Sequence, residues 1–432
     1  MKIKENKNYL PRDISWMYFN RRILQEACRD NVPLLERLSF LGIYSNNLDE
    51  FFRVRVASQS RIAECEDKAA QKNRREALSI LKEINKLNAE YSKEYEYATR
   101  EVTKKLKEEN IYLLRDDEVD DEQLAFIRNF YMQHLNGAVI PVWFSRSNSW
   151  MLRTTEYLSG SKNVQEEGKE TYAGVCIPGI ASEYVWPLYQ TAGCRRETLS
   201  DVLGRCNPLL LPMIFCGQEF TDYEAYSFKF TRDAEMEIDN DLRNGMLQKI
   251  SKGVKSRKRG EPLRVVYDST MPKGLLKQVL STLCLDKLDT VLAGGRYHNH
   301  KDLMKFPDCG RKDLKYPVWT PILKEELSGT ESIFKLIREK DRFIHVPYHS
   351  FDSYVRVLQE AAVSKEVKSI KTTLYRLAKD SKVVKALIGA ARNGKKVTVV
   401  IELLARFDEA SNIDWSKKMQ DAGIHVIFGW KD

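Results

Sequence analysis

The sequence lacks any long hydrophobic run. The longest one, residues 209–216, is interrupted by Pro212 and is far shorter than the roughly 20 residues that a membrane-spanning helix needs. The first eight residues are polar and rich in Lys, without the apolar segment of a secretory signal. We therefore expect a cytoplasmic protein, and any association with a membrane would be peripheral.

Several common motifs are also missing. The chain has eight cysteines, and no two of them form a Cys-x-x-Cys pair, so the spacing of zinc knuckles and thioredoxin-like sites is absent. Neither a P-loop nor a G-x-G-x-x-G motif occurs, which argues against P-loop NTPases and Rossmann dehydrogenases. None of the six histidines is followed two residues later by Lys. The His-x-Lys signature of phospholipase D chemistry is therefore absent as well.

Positive charge is present but unevenly placed. The chain holds 70 Lys and Arg against 61 Asp and Glu, a net charge of +9. Residues 361–432 carry 14 basic against 8 acidic side chains, and residues 246–264 carry 7 against 1. Two basic segments on a slightly acidic remainder favour a polyanionic ligand, which could be nucleic acid, a phosphate chain or a membrane surface.

The pattern of apolar residues predicts a multidomain α+β protein. Residues 1–108 are expected to form an all-helical domain, because one apolar face recurs at steps of three and four along a long helix, at Ile80, Ile84, Leu87, Tyr91, Tyr95, Ala98 and Val102. Residues 109–320 alternate short β-like runs, such as 172–177, 184–189 and 263–267, with helical segments, which predicts an α+β head domain. The polar segment 159–171 is expected to be a solvated loop.

Residues 321–432 predict the first part of an α/β domain. Buried strands are expected at 369–375, 397–403 and 424–428, with helices at 381–393 and 409–421 between them. Strand and helix alternating at about thirty residues per unit is what a parallel sheet requires. The chain stops four residues after the third strand, so we expect it to be a fragment of a longer protein.

Two arginines follow neighbouring strands of this sheet. Arg376 comes just after the first strand and Arg406 just after the second. The right-handed connection of parallel strands would place both at the same carboxyl edge, where open α/β sheets bind ligands. Two guanidinium groups there would bind a phosphate chain. The alternative is that each simply pairs with a nearby carboxylate such as Asp380 or Asp408.

The stretch SNNLDEFFR at 45–53 suggests a break between two helices. Asn47 with Glu50 three residues later fits a helix N-cap and its capping-box partner. The functional alternative is an amide that hydrogen-bonds a nucleotide.

A basic run and four histidines complete the candidates. The run consists of Lys252, Lys255, Arg257, Lys258 and Arg259, and it is either a solvated loop or one wall of a polyanion channel. The histidines that remain open to a role are His298, His300, His345 and His349.

Several stretches together resemble the long, histidine-dependent polyphosphate kinases of bacteria. In chain order they are SW at 15–16, PLLERL at 33–38, FLGIYSNNLDEFFRVRV at 40–56, FTRDAE at 230–235, GGRYHN at 294–299, LYR at 374–376 and ARFDE at 405–409. They follow the order of the family from near residue 10 to the end of the chain. The strings SNNLDEF and ARFDE are specific enough that their joint occurrence in register is not a chance event.

The resemblance implies a helical N-terminal domain, a head domain and two carboxyl domains with phospholipase-D-like folds. It implies reversible, Mg²⁺-dependent transfer of the terminal phosphate of ATP to inorganic polyphosphate through a phosphohistidine, in a dimer or tetramer without specific nucleic-acid binding. By position, Asn47 matches the ATP-binding residue of the N-terminal domain, and Arg376 and Arg406 match the magnesium and phosphate cluster. Because guanidinium has no lone pair for a metal, we expect both arginines to contact phosphate.

One departure from the family pattern concerns the nucleophile. In the family, the phosphorylated histidine lies in a His-x-Lys strand directly after the segment that matches residues 425–430, and this chain ends at Asp432. We therefore expect the catalytic histidine and the last domain to lie beyond residue 432, and this chain alone to be inactive. A non-catalytic polyanion-binding or RNA-binding protein is the alternative.

Overall fold

The structure of the chain is a computed structural model. It describes residues 9–65, 71–113, 118, 120–130, 132–133, 140–143, 157–164, 170–177, 187–188, 194–196, 223–232, 262–282, 290–295, 298, 300–403, 405 and 408–429. The described residues form two compact units, one of residues up to 317 and one from 318 onward. The predicted boundaries after residues 108 and 320 stay predictions.

The first unit begins with helices packed around one apolar core. These helices are α1 (Arg12–Cys28), α2 (Leu34–Phe51), α3 (Ala57–Glu64) and α4 (Gln71–Glu108). A π-helical turn, Phe52–Val56, joins α2 to α3. The long helix and its apolar face are confirmed, because all seven residues that carry the predicted pattern on α4 are buried. The core includes Met17 of α1 and Leu38 of α2, which are each 1% exposed.

The predicted helix break at Asn47 is wrong. Helix α2 runs without interruption through the two asparagines to Phe51, so Asn47 is not a helix N-cap. Burial explains the continuity, because Leu41, Tyr44 and Leu48 lie on one face of the helix and pack into the core. An asparagine inside a helix costs only about 0.7 kcal/mol relative to alanine, which this packing outweighs.

The remainder of the first unit combines sheets with short helices. Its larger sheet consists of the strands β2 (Ile140–Trp143), β3 (Tyr157–Val164), β4 (Glu170–Ile177), β7 (Tyr223–Arg232), β8 (Pro262–Asp268) and β9 (Thr290–Gly294). Their order in the sheet is β2-β4-β3-β7-β8-β9, and the pair β8–β9 is parallel while the other neighbours are antiparallel. A smaller sheet contains β1 (Ile111–Leu113), β5 (Pro187–Leu188) and β6 (Cys194–Arg196). The helical segments are α5 (Asp121–Phe130), α6 (Lys273–Thr282) and the 3₁₀ turns His300–Lys305 and Lys312–Leu314.

The β-like runs were predicted with mixed success. The runs 172–177 and 263–267 lie inside β4 and β8 and are confirmed. Of the run 184–189, the structure describes only residues 187–188, which are β5. The solvated loop predicted at 159–171 is wrong for residues 159–164, which belong to β3, and for residues 170–171, which begin β4. Residues 158–163 of β3 pair with both β4 and β7. Residues 165–169 lie outside the described residues. A central strand satisfies its backbone groups on both sides, so pairing can hold even a polar sequence in a sheet.

The second unit contains the predicted parallel sheet. Its elements in chain order are α7 (Glu325–Ser328), α8 (Ile333–Glu339), α9 (Asp352–Val363), β10 (Ser369–Leu374), α10 (Lys382–Arg392), β11 (Lys396–Ile401), α11 (Glu409–Asp421) and β12 (His425–Phe428). Strand β11 lies between β10 and β12 and is parallel to both. The predicted strands and helices of this region are therefore confirmed to within about two residues. Val399 and Ile401 of β11 are fully buried, and Leu387 of α10 packs against this core.

Together these elements make the chain a multidomain α+β protein, as predicted. Within the part of the chain that the structure describes, no helix is both long enough and apolar enough to span a bilayer.

Candidate functional site

The carboxyl edge of the second unit's sheet is formed by the ends of parallel strands. Leu374, the last residue of β10, lies opposite Ile401, the last residue of β11. The segments that leave these strands therefore start side by side. Arg376 lies on the first of these segments. Arg406 belongs to the second segment but lies outside the described residues.

The side chain of Arg376 is half exposed and forms an ion pair. Its Nη1 donates a hydrogen bond to Oδ2 of Asp408, the residue that precedes α11. The guanidinium also lies 5.8 Å from the ring centroid of Tyr375. Asp380, the other carboxylate considered from sequence, instead contacts Lys385 at 2.5 Å. An ion pair of which the arginine side chain is 55% exposed contributes only about 0–1 kcal/mol, so a multiply charged anion can compete for Arg376.

Helix α11 holds the segment that carries Arg376. The side-chain Nδ2 of Asn412 donates to the backbone carbonyl oxygens of Tyr375 at 2.8 Å and of Glu402 at 2.9 Å. One turn further, the indole N–H of Trp415 donates to the carbonyl oxygen of Ala378 at 3.2 Å. Asn412 is fully buried. Thus α11 fixes the chain on both sides of Arg376 and also the start of the segment after β11.

Sequence reasoning missed Asn412 and Trp415. The available signal was their spacing, because residues 412 and 415 lie on the same face of the helix that follows the second strand, as does residue 408 at its N-cap. That spacing shows which residues share a face but does not show which backbone groups they meet.

Asn47 lies on the side of α2 that faces α1. Its Nδ2 donates to Oδ1 of Asn20 at 3.4 Å, and Nδ2 of Asn20 donates to the carbonyl oxygen of Tyr44 at 3.2 Å. Asn20 is buried and Asn47 is half buried. The amide group predicted to bind a nucleotide is therefore held by a neighbouring amide inside the first unit.

The first unit also contains a cluster of buried charged side chains that was not predicted from the sequence. We call Asp49, Lys229 and Arg264 the Asp49 cluster. The carboxylate of Asp49 accepts from Lys229 Nζ at 2.5 Å and from Arg264 Nη1 at 3.3 Å, and all three side chains are at least nine-tenths buried. Burial alone would raise the pKa of Asp49, but the two positive charges outweigh it and hold that pKa below its ordinary value. Asp49 is therefore ionised at neutral pH.

His298 lies close to this cluster and is neutral. Its Nε2 lies 3.3 Å from the carbonyl oxygen of Ser227, and its own carbonyl oxygen accepts from Lys229 Nζ at 3.4 Å. Burial, followed by the neighbouring His300, lowers the pKa of His298 to about 3. This histidine of the GGRYHN stretch thus has no charge over the physiological pH range.

The structure does not place the predicted basic run. Lys252, Lys255, Arg257, Lys258 and Arg259 lie outside the described residues. Among the residues that the structure describes, no three His, Cys, Asp or Glu side chains are grouped so that they could hold a metal ion.

The fold and the edge define a class of protein. A helical region, a mixed sheet and a parallel α/β sheet with an arginine at its carboxyl edge make a multidomain α+β protein with a candidate anion-binding edge. Three family models match the chain in order: the polyphosphate kinase N-terminal domain at residues 9–114, the middle domain at 122–306 and the C-terminal domain 1 at 332–432. The chain belongs to the polyphosphate kinase family.

Individual relatives agree with this assignment. The chain is 35% identical to a polyphosphate kinase of Vibrio parahaemolyticus, over 98% of this chain and 61% of the relative. It is also 35% identical to the polyphosphate kinase of Escherichia coli K12, over 98% and 62%. The crystal structure of polyphosphate kinase from Porphyromonas gingivalis matches with a TM-score of 0.76 and 28% identity, over 97% of this chain and 59% of that one. The chain therefore spans less than two thirds of the length of these relatives.

Proposed function

We propose that the protein is a polyphosphate kinase that transfers the terminal phosphate of ATP reversibly to inorganic polyphosphate. The observation that carries this proposal is the match of three consecutive domain models of one family along nearly the whole chain. No observation favours the non-catalytic polyanion-binding or RNA-binding alternative. Assembly into a dimer or tetramer and peripheral membrane association stay predictions.

The proposed phosphate-binding residues are Arg376 and Arg406. The exposure of the Arg376 side chain and the weakness of its ion pair with Asp408 support this role, because a phosphate chain carries several charges and can outcompete one carboxylate. A guanidinium next to a transferring phosphoryl group stabilises the negative charge on that group. We propose that Asn47 contributes an amide to the ATP site.

The donor set near Arg376 fits Mg²⁺ that is bound mainly through substrate. Arginine cannot ligate a metal, and Asp408 is the carboxylate in contact with Arg376. Mg²⁺ typically uses one or two carboxylates and otherwise keeps water and substrate phosphates as ligands. Asp408 would be its protein ligand, and the metal would neutralise phosphate oxygens when it is bound. Arg376, released from Asp408, would then bind a phosphate oxygen.

We propose that the nucleophile is a histidine beyond residue 432 of the complete gene product. His425 is the first residue of β12. It therefore lies at the amino end of its strand, at the edge of the sheet opposite the one that carries Arg376. A neutral imidazole nitrogen would attack the γ-phosphorus, with ADP as the leaving group, and the phosphoryl group would pass to the chain end.

The test is ATP-dependent growth of polyphosphate. The complete gene product, incubated with ATP, Mg²⁺ and short polyphosphate, should release ADP and lengthen the polymer, and excess ADP should reverse the reaction. The 432-residue chain alone should form no acid-labile phosphoprotein from labelled ATP. Binding of polyphosphate without lengthening or ADP release in the complete product would instead identify a non-catalytic polyanion-binding protein.

A further inference from the structure

The first unit contains a cavity of about 540 Å³ that the proposed function does not use. Its walls are formed by α2, α4 and the strands β7, β8 and β9, together with Gly295, His298 and His300. This volume lies within the roughly 300–1,000 Å³ that is typical of small-molecule sites and is much larger than a single phosphate ion requires.

The cavity is separate from the proposed ATP residue. Helix α2 contributes Tyr44, Ser45, Leu48 and Asp49 to the cavity wall. Asn47, in contrast, is hydrogen-bonded to Asn20 of α1. A ligand in the cavity would therefore meet α2 on the face that Asn47 does not occupy.

One wall of the cavity has a buried cation with unused hydrogen-bonding capacity. Arg264 is 8% exposed, and within the described residues its Nε has no hydrogen-bond partner. Its Nη1 shares the carboxylate of Asp49, which lies closer to Lys229. The ring of Phe52 lies 4.7 Å from the guanidinium carbon and covers one face of it. A buried donor without a partner costs free energy, so this arginine favours an additional acceptor, and an oxyanion is the acceptor that matches guanidinium best.

Another wall is aromatic. Tyr44 and Tyr95 stack with ring centroids 5.3 Å apart, and His300 meets Tyr95 edge to face at 5.1 Å. On α4, short polar and charged side chains line the same cavity at helical spacing, namely Ser92, Glu96, Thr99 and Arg100. Flat rings pack well against aromatic side chains, and hydroxyl and carboxylate groups can bond sugar hydroxyls or ring amino groups.

We propose that this cavity is a second nucleotide site, one that binds a nucleoside monophosphate. The phosphate contacts Arg264, and the base packs against Tyr95 and His300. The polar side chains of α4 lie beside the sugar. The proposal does not depend on phosphotransfer activity, because it concerns binding to the first unit.

The test is equilibrium binding of AMP to the 432-residue chain, measured by isothermal titration calorimetry. Adenosine, ribose 5-phosphate and orthophosphate are titrated for comparison, because each of them contains only part of AMP. AMP should bind at least about tenfold more tightly than each of them, because only AMP engages both walls. Binding of orthophosphate or adenosine as tight as that of AMP, or no binding of AMP, would overturn the proposal.

Two variants locate the site. Arg264→Gln should weaken AMP binding at least about tenfold, and it leaves Asp49 paired with Lys229. Gly295 lines the cavity, and a Cβ there would meet no atom of the described residues within 4 Å, so Gly295→Leu should weaken binding similarly by filling the volume. The matched control is Gly274→Leu on α6, where a Cβ likewise meets no described atom within 4 Å and which is not among the residues that line the cavity.

The two variants remain decisive even when one of them is unstable. If Arg264→Gln does not fold, as judged by circular dichroism, Gly295→Leu decides the outcome. Wild-type affinity in a folded Gly295→Leu variant would overturn the proposal. So would weakening of AMP binding by Asn47→Ala and not by Gly295→Leu, since AMP would then occupy the proposed ATP site.

Discussion

The side-chain amide of Asn412 donates a 2.8 Å hydrogen bond to the carbonyl oxygen of Tyr375, the residue directly before Arg376. The same Nδ2 donates to Glu402 at 2.9 Å, so one buried amide connects the segments that follow β10 and β11. Each segment holds one of the two arginines proposed to bind phosphate. Asn412 is therefore a positioning residue for this edge of the sheet.

Replacing Asn412 should impair turnover more than stability alone explains. Asn412→Ala removes two hydrogen bonds and should lower the free energy of unfolding by about 1–3 kcal/mol. In the complete gene product we expect kcat to fall about tenfold or more at a temperature where the variant is folded, because a misplaced guanidinium loses transition-state contacts. Urea denaturation and steady-state kinetics measure the two effects.

The control for Asn412 is Asn393→Ala. Asn393 follows α10 and donates through Nδ2 to the carbonyl oxygen of Ala362 at 3.0 Å, away from the segment that carries Arg376. The Asn393→Ala variant should be less stable than the wild type without a comparable fall in kcat. Equal kcat losses in both variants would leave Asn412 with a merely structural role.

Removing Arg376 should weaken polyphosphate binding and phosphotransfer. Arg376→Ala should reduce kcat/KM of the complete gene product by about a hundredfold or more, in line with the loss of an electrostatic contact to a transferring phosphoryl group. Stability should change by less than about 1 kcal/mol, because the ion pair with Asp408 is half exposed. Arg392→Ala, at the exposed end of α10, is the matched loss of one positive charge. Equal effects of the two substitutions would show that Arg376 acts only through net charge.

His298 should make the first unit less stable in acid. Burial lowers the pKa of His298 to about 3, whereas a histidine in the unfolded chain titrates near 6.5. Between these values the unfolded state binds a proton that the folded state does not, so the free energy of unfolding falls as the pH drops. From pH 7 to pH 5 the loss is about 2 kcal/mol. His298→Gln should flatten this dependence in urea denaturation, while His425→Gln, an exposed position, serves as the control.

Gly42 should not tolerate a side chain. A Cβ at this position of α2 would lie 2.7 Å from the backbone nitrogen of Met304, in the 3₁₀ turn that packs on the helix. Gly42→Ala should therefore destabilise the first unit by about 1–3 kcal/mol through overpacking. Gly274→Ala, where a Cβ meets no atom of the described part of the chain within 4 Å, should have no such cost. Thermal denaturation compares the two variants. An unchanged melting temperature for Gly42→Ala would show that the 3₁₀ turn shifts to accommodate the added methyl group.

Local patterns predicted the second unit well and parts of the first unit poorly. The strands and helices of 369–428 were predictable because each is a short apolar run or an amphipathic helix with clear ends. The predicted helix break at Asn47 was wrong because the prediction relied on the turn-forming asparagines. The apolar face that continues on both sides of them keeps the helix intact. The loop at 159–164 was wrong because pairing on both sides of β3 depends on strands that are distant in sequence.

The sequence by itself determined the α+β class, the long helix, the parallel sheet and the position of Arg376 just beyond a strand, because these follow from periodicities that extend over a few turns or one strand. Only the tertiary structure decided what lies against each functional side chain. Asp49 pairs with Lys229 and Arg264 across 180 and 215 residues, and Asn412 meets Tyr375 across 37. Such contacts depend on how the strands and helices pack, and no spacing along the chain specifies them.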